Sequence, residues 1–184
     1  MILENSTEIP TRSHLINLIQ PTSIGCELGV FLCEYSDLFI ESGKFQKFYL
    51  VDTFSGIVGS GDINGENIQT FNGDYLFDHA LRKYSHNTNV TISKIDSITF
   101  LKSKEDSYFD FIYIDTIHTY DHLIVELEEA LRVTKNNGLI CGHDYNQDIF
   151  PGVVSAVKSF TNKNKFRYYI TTKEKLASFI IVKN

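Results

Sequence analysis

Five apolar segments of this chain run directly into acidic or histidine side chains, which is typical of a ligand site. In chain order, these side chains are Glu27, Asp52, Asp96, Asp115 and the adjacent pair His143 and Asp144. Carboxylates accept hydrogen bonds from hydroxyl or cationic groups of a ligand, and histidine takes up a proton near neutral pH. Because a carboxylate is unfavourable in an apolar setting without a donor or a cation, the pattern predicts a polar or cationic ligand.

The segments that carry these side chains alternate with helical segments. Each apolar run is short enough for a buried strand. Leu123, Leu127 and Leu131 recur at helical spacing in the clearest helix, which we expect to stop at Asn137 and Gly138. The last two runs, FRYYITT and KLASFIIV, leave no room for a crossover helix and predict an antiparallel pair. The pattern indicates an α/β sheet with helices on both faces.

Ligands of open α/β sheets bind outside the carboxyl ends of the strands, where these side chains would meet. Asp52 follows Gly29 by 23 residues, near the spacing of a ribose-binding acid in dinucleotide sites. However, Gly25, Gly29 and Cys33 do not form a G-x-G-x-x-G phosphate loop, and Glu27 would repel a pyrophosphate. We therefore expect an adenosine ligand with a cationic group and no phosphate, which describes S-adenosyl-L-methionine.

Four motifs in register carry a family resemblance. CELGVFLCEYS resembles the E-x-G-x-x-x-G motif of class I S-adenosylmethionine-dependent methyltransferases. LVDTFSG is similar to the D-T-F-x-G of the small-molecule O-methyltransferases related to macrocin O-methyltransferase. The block from YIDTIHTYD to CGHDY resembles a series in the same enzymes, in which an I-D-G-x-H-x-Y motif is followed by a helix and an H/D-D-Y motif. FPGVVSAVKSF resembles the G-V-x-x-A-V-x-x-F motif that comes next in those enzymes. The resemblance covers roughly residues 22–162.

The length of the chain predicts one domain over residues 1–184. The resemblance implies O-methylation of a small hydroxylated metabolite or sugar as its activity. The implied fold is a Rossmann-like, doubly wound, mostly parallel seven-stranded sheet with an antiparallel C-terminal strand. An N-terminal helix over residues 1–21 and a glycine-rich lid over residues 53–73 would close over the substrate. Tyr120, Tyr145 and Asn146 would line the substrate pocket, with a core position for Tyr145 as an equal alternative.

Eight residues are predicted to bind S-adenosyl-L-methionine. Asp52 would accept the ribose hydroxyls, Glu27 would act on the amino group, and Gly29 would admit the methionine part. Three of these residues have an alternative structural role: Glu27 and Ser97 could cap helices, and Phe54 could pack in the core. The full set is Glu27, Gly29, Asp52, Thr53, Phe54, Asp96, Ser97 and Asp115.

The predicted catalytic residues are Asp115, His118 and His143, because a hydroxyl nucleophile needs a base near neutral pH. The resemblance implies that some relatives hold a divalent cation here, which would place Mg²⁺ or another metal on Asp115, His143 and Asp144. Mg²⁺ prefers oxygen ligands and imidazole suits transition metals, so the use of a metal stays open.

Composition limits the remaining function classes. The net charge of −6 gives no basic face for nucleic acid. No apolar run reaches the ~20 residues of a membrane helix, and the N-terminus lacks the pattern of a signal peptide, so a cytoplasmic location is expected. Three cysteines without paired spacing predict no disulfide framework. A small-molecule acceptor is the expected partner, and the N-terminal helix could support a homodimer.

Two alternatives stay open at this level. A nucleotide-dependent oxidoreductase on a related sheet would need the phosphate loop that the sequence lacks. A protein that binds S-adenosyl-L-methionine without catalysis is compatible with departures from the family pattern at Cys33, Thr116 and Ile117, which stand where relatives have glycine or an acidic residue.

Overall fold

The computed structural model of the chain describes residues 8–55, 62–63, 66–67 and 72–183. Nine strands occur in these ranges: β1 (Ser23–Leu28), β2 (Phe45–Asp52), β3 (Asp62–Ile63), β4 (Glu66–Asn67), β5 (Val90–Lys94), β6 (Phe109–Ile114), β7 (Thr134–Tyr145), β8 (Tyr168–Ile170) and β9 (Ala177–Val182). The two-residue strands β3 and β4 pair only with each other, in an antiparallel hairpin. The other seven strands form the main sheet.

In the described parts of the chain, five α-helices accompany the sheet: α1 (Ser36–Glu41), α2 (Gly73–Tyr84), α3 (Ser97–Lys102), α4 (Tyr120–Val133) and α5 (Pro151–Asn164). Pro151 occupies the first turn of α5, where its missing N–H is tolerated. Within the described ranges, none of the helices has both the length and the apolar character that crossing a membrane requires.

The order of strands in the main sheet is β5-β2-β1-β6-β7-β9-β8. The first five strands are parallel to one another, whereas β9 is antiparallel to both β7 and β8. This arrangement confirms the predicted Rossmann-like sheet with its reversed C-terminal strand. The chain leaves β1 toward β2 and returns to β6 on the other side, so the strand order reverses beside β1, where such sheets bind ligands.

Helices cover both faces of the sheet, as the sequence predicts. Successive residues of a strand point to opposite faces. Ile112 faces the layer of α3, α4 and α5, while its neighbour Phe111 faces the layer of α1, α2 and the N-terminal segment. Both side chains are fully buried, so the central strands have an apolar layer on each side and leave only their ends to polar chemistry.

The described part of the N-terminal segment contains a helix, as the sequence predicts. The described part of this segment forms a 3-10 helix over Arg12–Leu18, and residues 1–7 lie outside the described ranges. Pro10 and Pro21 bracket the segment, which leaves little chain for a longer helix. The amide of Lys173 donates to the carbonyl of Pro10 at 2.8 Å, so the loop between β8 and β9 holds the start of the segment.

Two further predictions concern the loop after β2 and the end of α4. Most of the glycine-rich lid predicted over residues 53–73 lies outside the described ranges. The helix α4 ends at Val133 rather than at Asn137 and Gly138. Those two residues belong to the irregular start of β7, where Asn137 takes a positive φ of 63° and exchanges backbone hydrogen bonds with the region of Lys183.

We expect Phe39→Ala to destabilise the fold strongly. The ring of Phe39 is fully buried between α1 and the sheet, with ring centroids 4.7 Å from Tyr35 and 5.0 Å from Phe111. Truncating a buried aromatic ring to alanine leaves a cavity, so the free energy of unfolding should fall by about 3–5 kcal/mol. Urea unfolding followed by circular dichroism measures the change.

The matched control is Leu81→Ala on the exposed side of α2, where the side chain is 42% exposed. It should change the free energy of unfolding by less than about 1 kcal/mol. Equal losses in both variants would contradict the packing of Phe39 between α1 and the sheet.

Candidate active site

A pocket of about 310 Å³ opens at the carboxyl edge of the sheet, beside the point where the strand order reverses. Six of the eight residues predicted to bind the cofactor line it: Gly29, Asp52, Thr53, Asp96, Ser97 and Asp115. They follow β1, β2, β5 and β6, so four separate loops form the wall. Glu27 and Phe54 are not among the described lining residues.

Asp52 fixes the loops around the pocket through its carboxylate. Oδ2 accepts hydrogen bonds from the backbone amides of Val30 at 2.8 Å and Phe31 at 3.1 Å, and Oδ1 accepts from the amide of Phe54 at 2.8 Å. A carboxylate offers about four acceptor positions. Three of them are used, so Asp52 retains capacity for roughly one further hydroxyl rather than for two.

Gly29 allows the turn after β1 to touch the end of β6. Its φ is +86°, and a Cβ placed on it would lie 1.8 Å from the carbonyl oxygen of Asp115. The amide of Asp115 in turn donates to the carbonyl of Leu28 at 2.7 Å. Only glycine tolerates both the backbone angle and the contact, so this position has a structural reason to be glycine apart from any ligand.

Glu27 is 2% exposed and lies under the glycine turn rather than in the pocket wall. The hydroxyl of Ser36, in the first turn of α1, donates to its Oε2. Burial raises the pKa of Glu27 to about 8, although the bond from Ser36 opposes the shift. The carboxyl group is therefore mostly protonated near neutral pH, and a nearby cation would favour its ionisation.

Two more of the predicted cofactor residues also have structural roles. Phe54 is buried and packs on Phe77 with ring centroids 5.1 Å apart, which agrees with the packing alternative. The N-cap of α3 is Asp96, whose Oδ1 accepts from the amide of Thr99 at 2.9 Å, so the cap predicted at Ser97 is displaced by one residue. Asp96 both caps the helix and lines the pocket.

A network of histidines and carboxylates joins the ends of β6 and β7. Nε2 of His118 lies 2.6 Å from Oδ2 of Asp144, and Nδ1 of His143 lies 3.1 Å from its Oδ1. Nδ1 of His143 is also 3.6 Å from Oδ2 of Asp115. The ring of His118 packs against Phe150 with centroids 4.3 Å apart. The structure therefore brings all three predicted catalytic residues together around Asp144.

The charges of this network shift its pKa values in opposite directions. Burial raises the pKa of Asp115 to about 6, and the contact with His143 limits the rise. Burial also raises the pKa of Asp144, but His118 and His143 outweigh it and hold that pKa well below its usual range. Burial lowers the pKa of His118, yet the adjacent Asp144 carboxylate raises it on balance.

The ligand atoms that could hold a metal differ from those expected. Three possible ligand atoms, one each from Asp115, His118 and Asp144, lie within 4.8 Å of one another. His118 thus takes the place predicted for His143. Two carboxylates with one imidazole are donors that a transition metal accepts more readily than Mg²⁺ does. In the present arrangement, both histidines contact the carboxylate of Asp144.

The residues predicted to line a substrate pocket have other contacts. The hydroxyl of Tyr145 lies 2.9 Å from that of Tyr168. The side-chain oxygen of Asn146 accepts from the amides of Asp148 and Ile149 and so shapes the loop before α5. Tyr120, at the start of α4, is 39% exposed. None of the three predicted residues is among the described residues that line the pocket.

Sequence reasoning missed two residues of α4. His122 lines the pocket, and Glu126 is fully buried behind it with its Oε1 3.3 Å from Nε2 of His122. The spacing of four residues places both on one face of α4, which is the available signal. The spacing did not identify Glu126 because acidic residues on an amphipathic helix usually lie on the solvated face.

Residues 23–145 match the sequence model of a family described as a methyltransferase domain. The match begins at β1 and ends with β7, so it contains every strand end that contributes to the site. The chain belongs to this methyltransferase family. The predicted class I methyltransferase fold is confirmed, whereas no curated protein matches the chain.

Solved structures share the fold of this methyltransferase domain at low sequence identity. SMU.1697c of Streptococcus mutans, in complex with SAH (S-adenosylhomocysteine), is 11% identical, with a TM-score of 0.65 over 92% of this chain and 93% of that chain. Precorrin-6y C5,15-methyltransferase of Geobacter metallireducens is 12% identical, with a TM-score of 0.63 over 94% of this chain and 85% of that chain.

Spermidine synthase of Thermotoga maritima is also similar. It is 12% identical, with a TM-score of 0.63 over 95% of this chain and 58% of that chain. At such identities the likeness concerns the fold alone. A fold supports more than one reaction, so the reaction of this methyltransferase domain has to be argued from its site.

We expect Glu27→Gln to make the free energy of unfolding less dependent on pH. The folded-state pKa of Glu27 is about 8 and the unfolded value about 4.5, so the folded protein binds more protons between these values. The free energy of unfolding of the wild type should therefore fall as pH rises from about 5 to 8, by on the order of a few kcal/mol. Urea unfolding at pH 5, 6, 7 and 8 measures the slope.

A glutamine at this position cannot ionise, so the variant should be more stable than the wild type at pH 8 and should show a flatter slope. Glu34→Gln, an exposed neighbour on the following turn, is the control and should behave as wild type. Parallel slopes for the wild type and Glu27→Gln would show that Glu27 is not a buried neutral carboxyl.

Proposed function

We propose that this domain binds S-adenosyl-L-methionine and transfers its methyl group to a hydroxyl oxygen of a small molecule. One observation carries the proposal. The described lining of the pocket contains three carboxylates, from Asp52, Asp96 and Asp115, and neither lysine nor arginine. Such a wall favours a ligand that brings hydroxyls and positive charge.

The same wall argues against the oxidoreductase alternative. A dinucleotide carries a pyrophosphate, which is bound by a glycine-rich loop at a helix N-terminus. Here the helix that follows β1 has only six residues, and the carboxylate of Asp52 already accepts the amides of Val30 and Phe31. A phosphate at that position would compete with a carboxylate for the same donors.

The proposal assigns each part of the cofactor to a part of the wall. The ribose would use the remaining acceptor position on Asp52, and the methionine part would pass the backbone of Gly29. The adenine would lie toward Asp96 and Ser97, after β5. The sulfonium would then lie toward Asp115, next to His118. The SAH complex of the Streptococcus mutans neighbour, which has the same fold, supports the choice of cofactor class.

The transfer itself needs a substrate oxygen in line with the methyl group. As the C–O bond forms, the C–S bond breaks and leaves the neutral thioether of S-adenosylhomocysteine. The hydroxyl proton must go to a base. His118 is the candidate because Oδ2 of Asp144 lies 2.6 Å from its Nε2, and the negative charge would stabilise the imidazolium that results.

A divalent cation is the second candidate for activating the hydroxyl. The observation that favours it is the cluster of Asp115, His118 and Asp144. A bound cation would lower the pKa of a coordinated hydroxyl. The two candidates use His118 in different ways, as a base or as a ligand, so a metal titration distinguishes them.

We expect S-adenosylhomocysteine to bind the wild type with micromolar affinity in isothermal titration calorimetry. Asp52→Ala should weaken binding at least about tenfold, since it removes the ribose acceptor and releases the loops that Asp52 holds. Titration with and without Mg²⁺, and with Zn²⁺, tests the metal. Tighter binding of either ion in the presence of the cofactor would favour the metal over the histidine base.

Asp78→Ala is the matched control because it removes the same charge from the exposed side of α2. It should bind as the wild type does. Thermal unfolding of Asp52→Ala without ligand shows whether the variant is folded. If the folded wild type bound no S-adenosylhomocysteine in any metal condition, the proposed function would be wrong.

A further inference from the structure

The carboxylate of Glu126 is fully buried in α4, and nothing in the proposed reaction uses it. Its oxygens accept hydrogen bonds from two hydroxyls. Oγ of Ser97 donates to Oε1 at 2.5 Å, and Oγ1 of Thr116 lies 2.7 Å from Oε2 and 2.9 Å from Oε1. Nε2 of His122 lies 3.3 Å from Oε1. Because buried polar groups in proteins are normally hydrogen-bonded, a carboxylate with these contacts is an ordered part of the site.

The partners of Glu126 come from different elements and meet at one wall. Ser97 begins α3 after β5, Thr116 follows β6, and His122 lies one turn before Glu126 in α4. All three line the pocket, while Glu126 stands behind them. Glu126 therefore sets the orientation of ligand-facing groups without facing the ligand itself.

The hydrogen bonds of Glu126 decide what the two hydroxyls can offer a ligand. Serine and threonine each have one hydroxyl hydrogen and two acceptor lone pairs. Glu126 takes the hydrogen of both Ser97 and Thr116. Toward the pocket these hydroxyls can then only accept hydrogen bonds, so the wall selects a ligand edge that donates.

The position of Ser97 and Thr116 in the sheet indicates which part of the ligand they contact. Ser97 follows β5, at the outer edge of the parallel strands, and its hydroxyl shares the Glu126 carboxylate with that of Thr116. The histidine network lies at the ends of β6 and β7, on the other side of β1 from Ser97. With the reacting methyl group at the network, the far end of an adenosine ligand is its base. The 6-amino group of adenine donates two hydrogen bonds, and a 6-oxo purine presents an acceptor there instead.

We propose that Glu126 is a positioning residue that makes the pocket selective for a 6-aminopurine over a 6-oxopurine. It does so by fixing the hydroxyls of Ser97 and Thr116 as acceptors. This inference rests on the proposed function, since it requires an adenosine cofactor. It predicts that the site rejects the inosine analogue of the cofactor because acceptors would face its carbonyl.

The test compares S-adenosylhomocysteine with S-inosylhomocysteine, in which oxygen replaces the 6-amino group. Calorimetry gives the dissociation constants of both for the wild type and for Glu126→Gln. The wild type should prefer the adenosine form by about tenfold or more, the effect of one mismatched buried polar group. The glutamine of the variant has the same shape but donates through its amide, which frees a hydroxyl hydrogen to point at the ligand.

Glu126→Gln should therefore lower the ratio of the two dissociation constants by about tenfold, in part by tightening binding of the inosine form. The control is Glu128→Gln on the same helix, whose side chain is 50% exposed and pairs with Lys163. It should keep the wild-type ratio. Thr116→Val, which removes one acceptor and keeps the shape, should also reduce the preference if Glu126→Gln fails to fold.

The outcomes separate the two proposals. Equal losses for both ligands in Glu126→Gln would mean that Glu126 only supports the fold, and an unchanged ratio in a folded variant would overturn the inference as well. A wild type that binds the adenosine form without preference would overturn the inference alone. A wild type that binds neither ligand would overturn the proposed function, and the inference with it.

Discussion

The site depends on the bonds that the Asp52 carboxylate makes to the backbone. Asp52 ends β2, yet it accepts the amides of Val30 and Phe31 in the turn after β1 as well as the amide of Phe54 in its own loop. Hydrogen bonds to a carboxylate are roughly twice as strong as those between neutral groups. The turn after β1 is thereby held where Gly29 meets the carbonyl of Asp115. One side chain thus fixes the loops after β1 and β2, and backbone contacts of Leu28 and Gly29 with Asp115 join the end of β6 to them.

This arrangement separates the site into two electrostatic halves. Around β1 and β2, the described pocket wall has no arginine or lysine beside Asp52. Glu27 is buried outside that wall, and burial raises its pKa to about 8 although Arg12 acts in the opposite direction. At the ends of β6 and β7, His118 and His143 hold Asp144 ionised. The first half therefore offers hydrogen-bond acceptors to a ligand, while in the second half Asp115 lies beside two histidines that can take up a proton.

The fold was predictable because its signals are local and repeated. Each apolar strand ends in a polar residue, and helix periodicity separates the strands, so the sequence alone places Asp52 and Asp115 at one edge of the sheet. Other details depend on contacts between residues that are far apart in the chain. The N-terminal helix is a 3-10 helix held by the loop before β9, and Phe54 packs against Phe77. Glu126 was missed because two of its partners, Ser97 and Thr116, lie on other elements.

The cofactor loses a positive charge in the proposed reaction, and this loss changes how tightly the carboxylates of the site bind it. On the proposed reaction, the cofactor enters with a positive sulfonium and leaves as a neutral thioether, while its ammonium is unchanged. A cation near Asp115 favours ionisation of that carboxyl, whose pKa of about 6 lies close to neutral. Methyl transfer removes this favourable interaction, so Asp115 contributes less to holding the product than to holding the cofactor. The Asp115 carboxylate would then favour binding of the reactant form over the product without any movement of the fold.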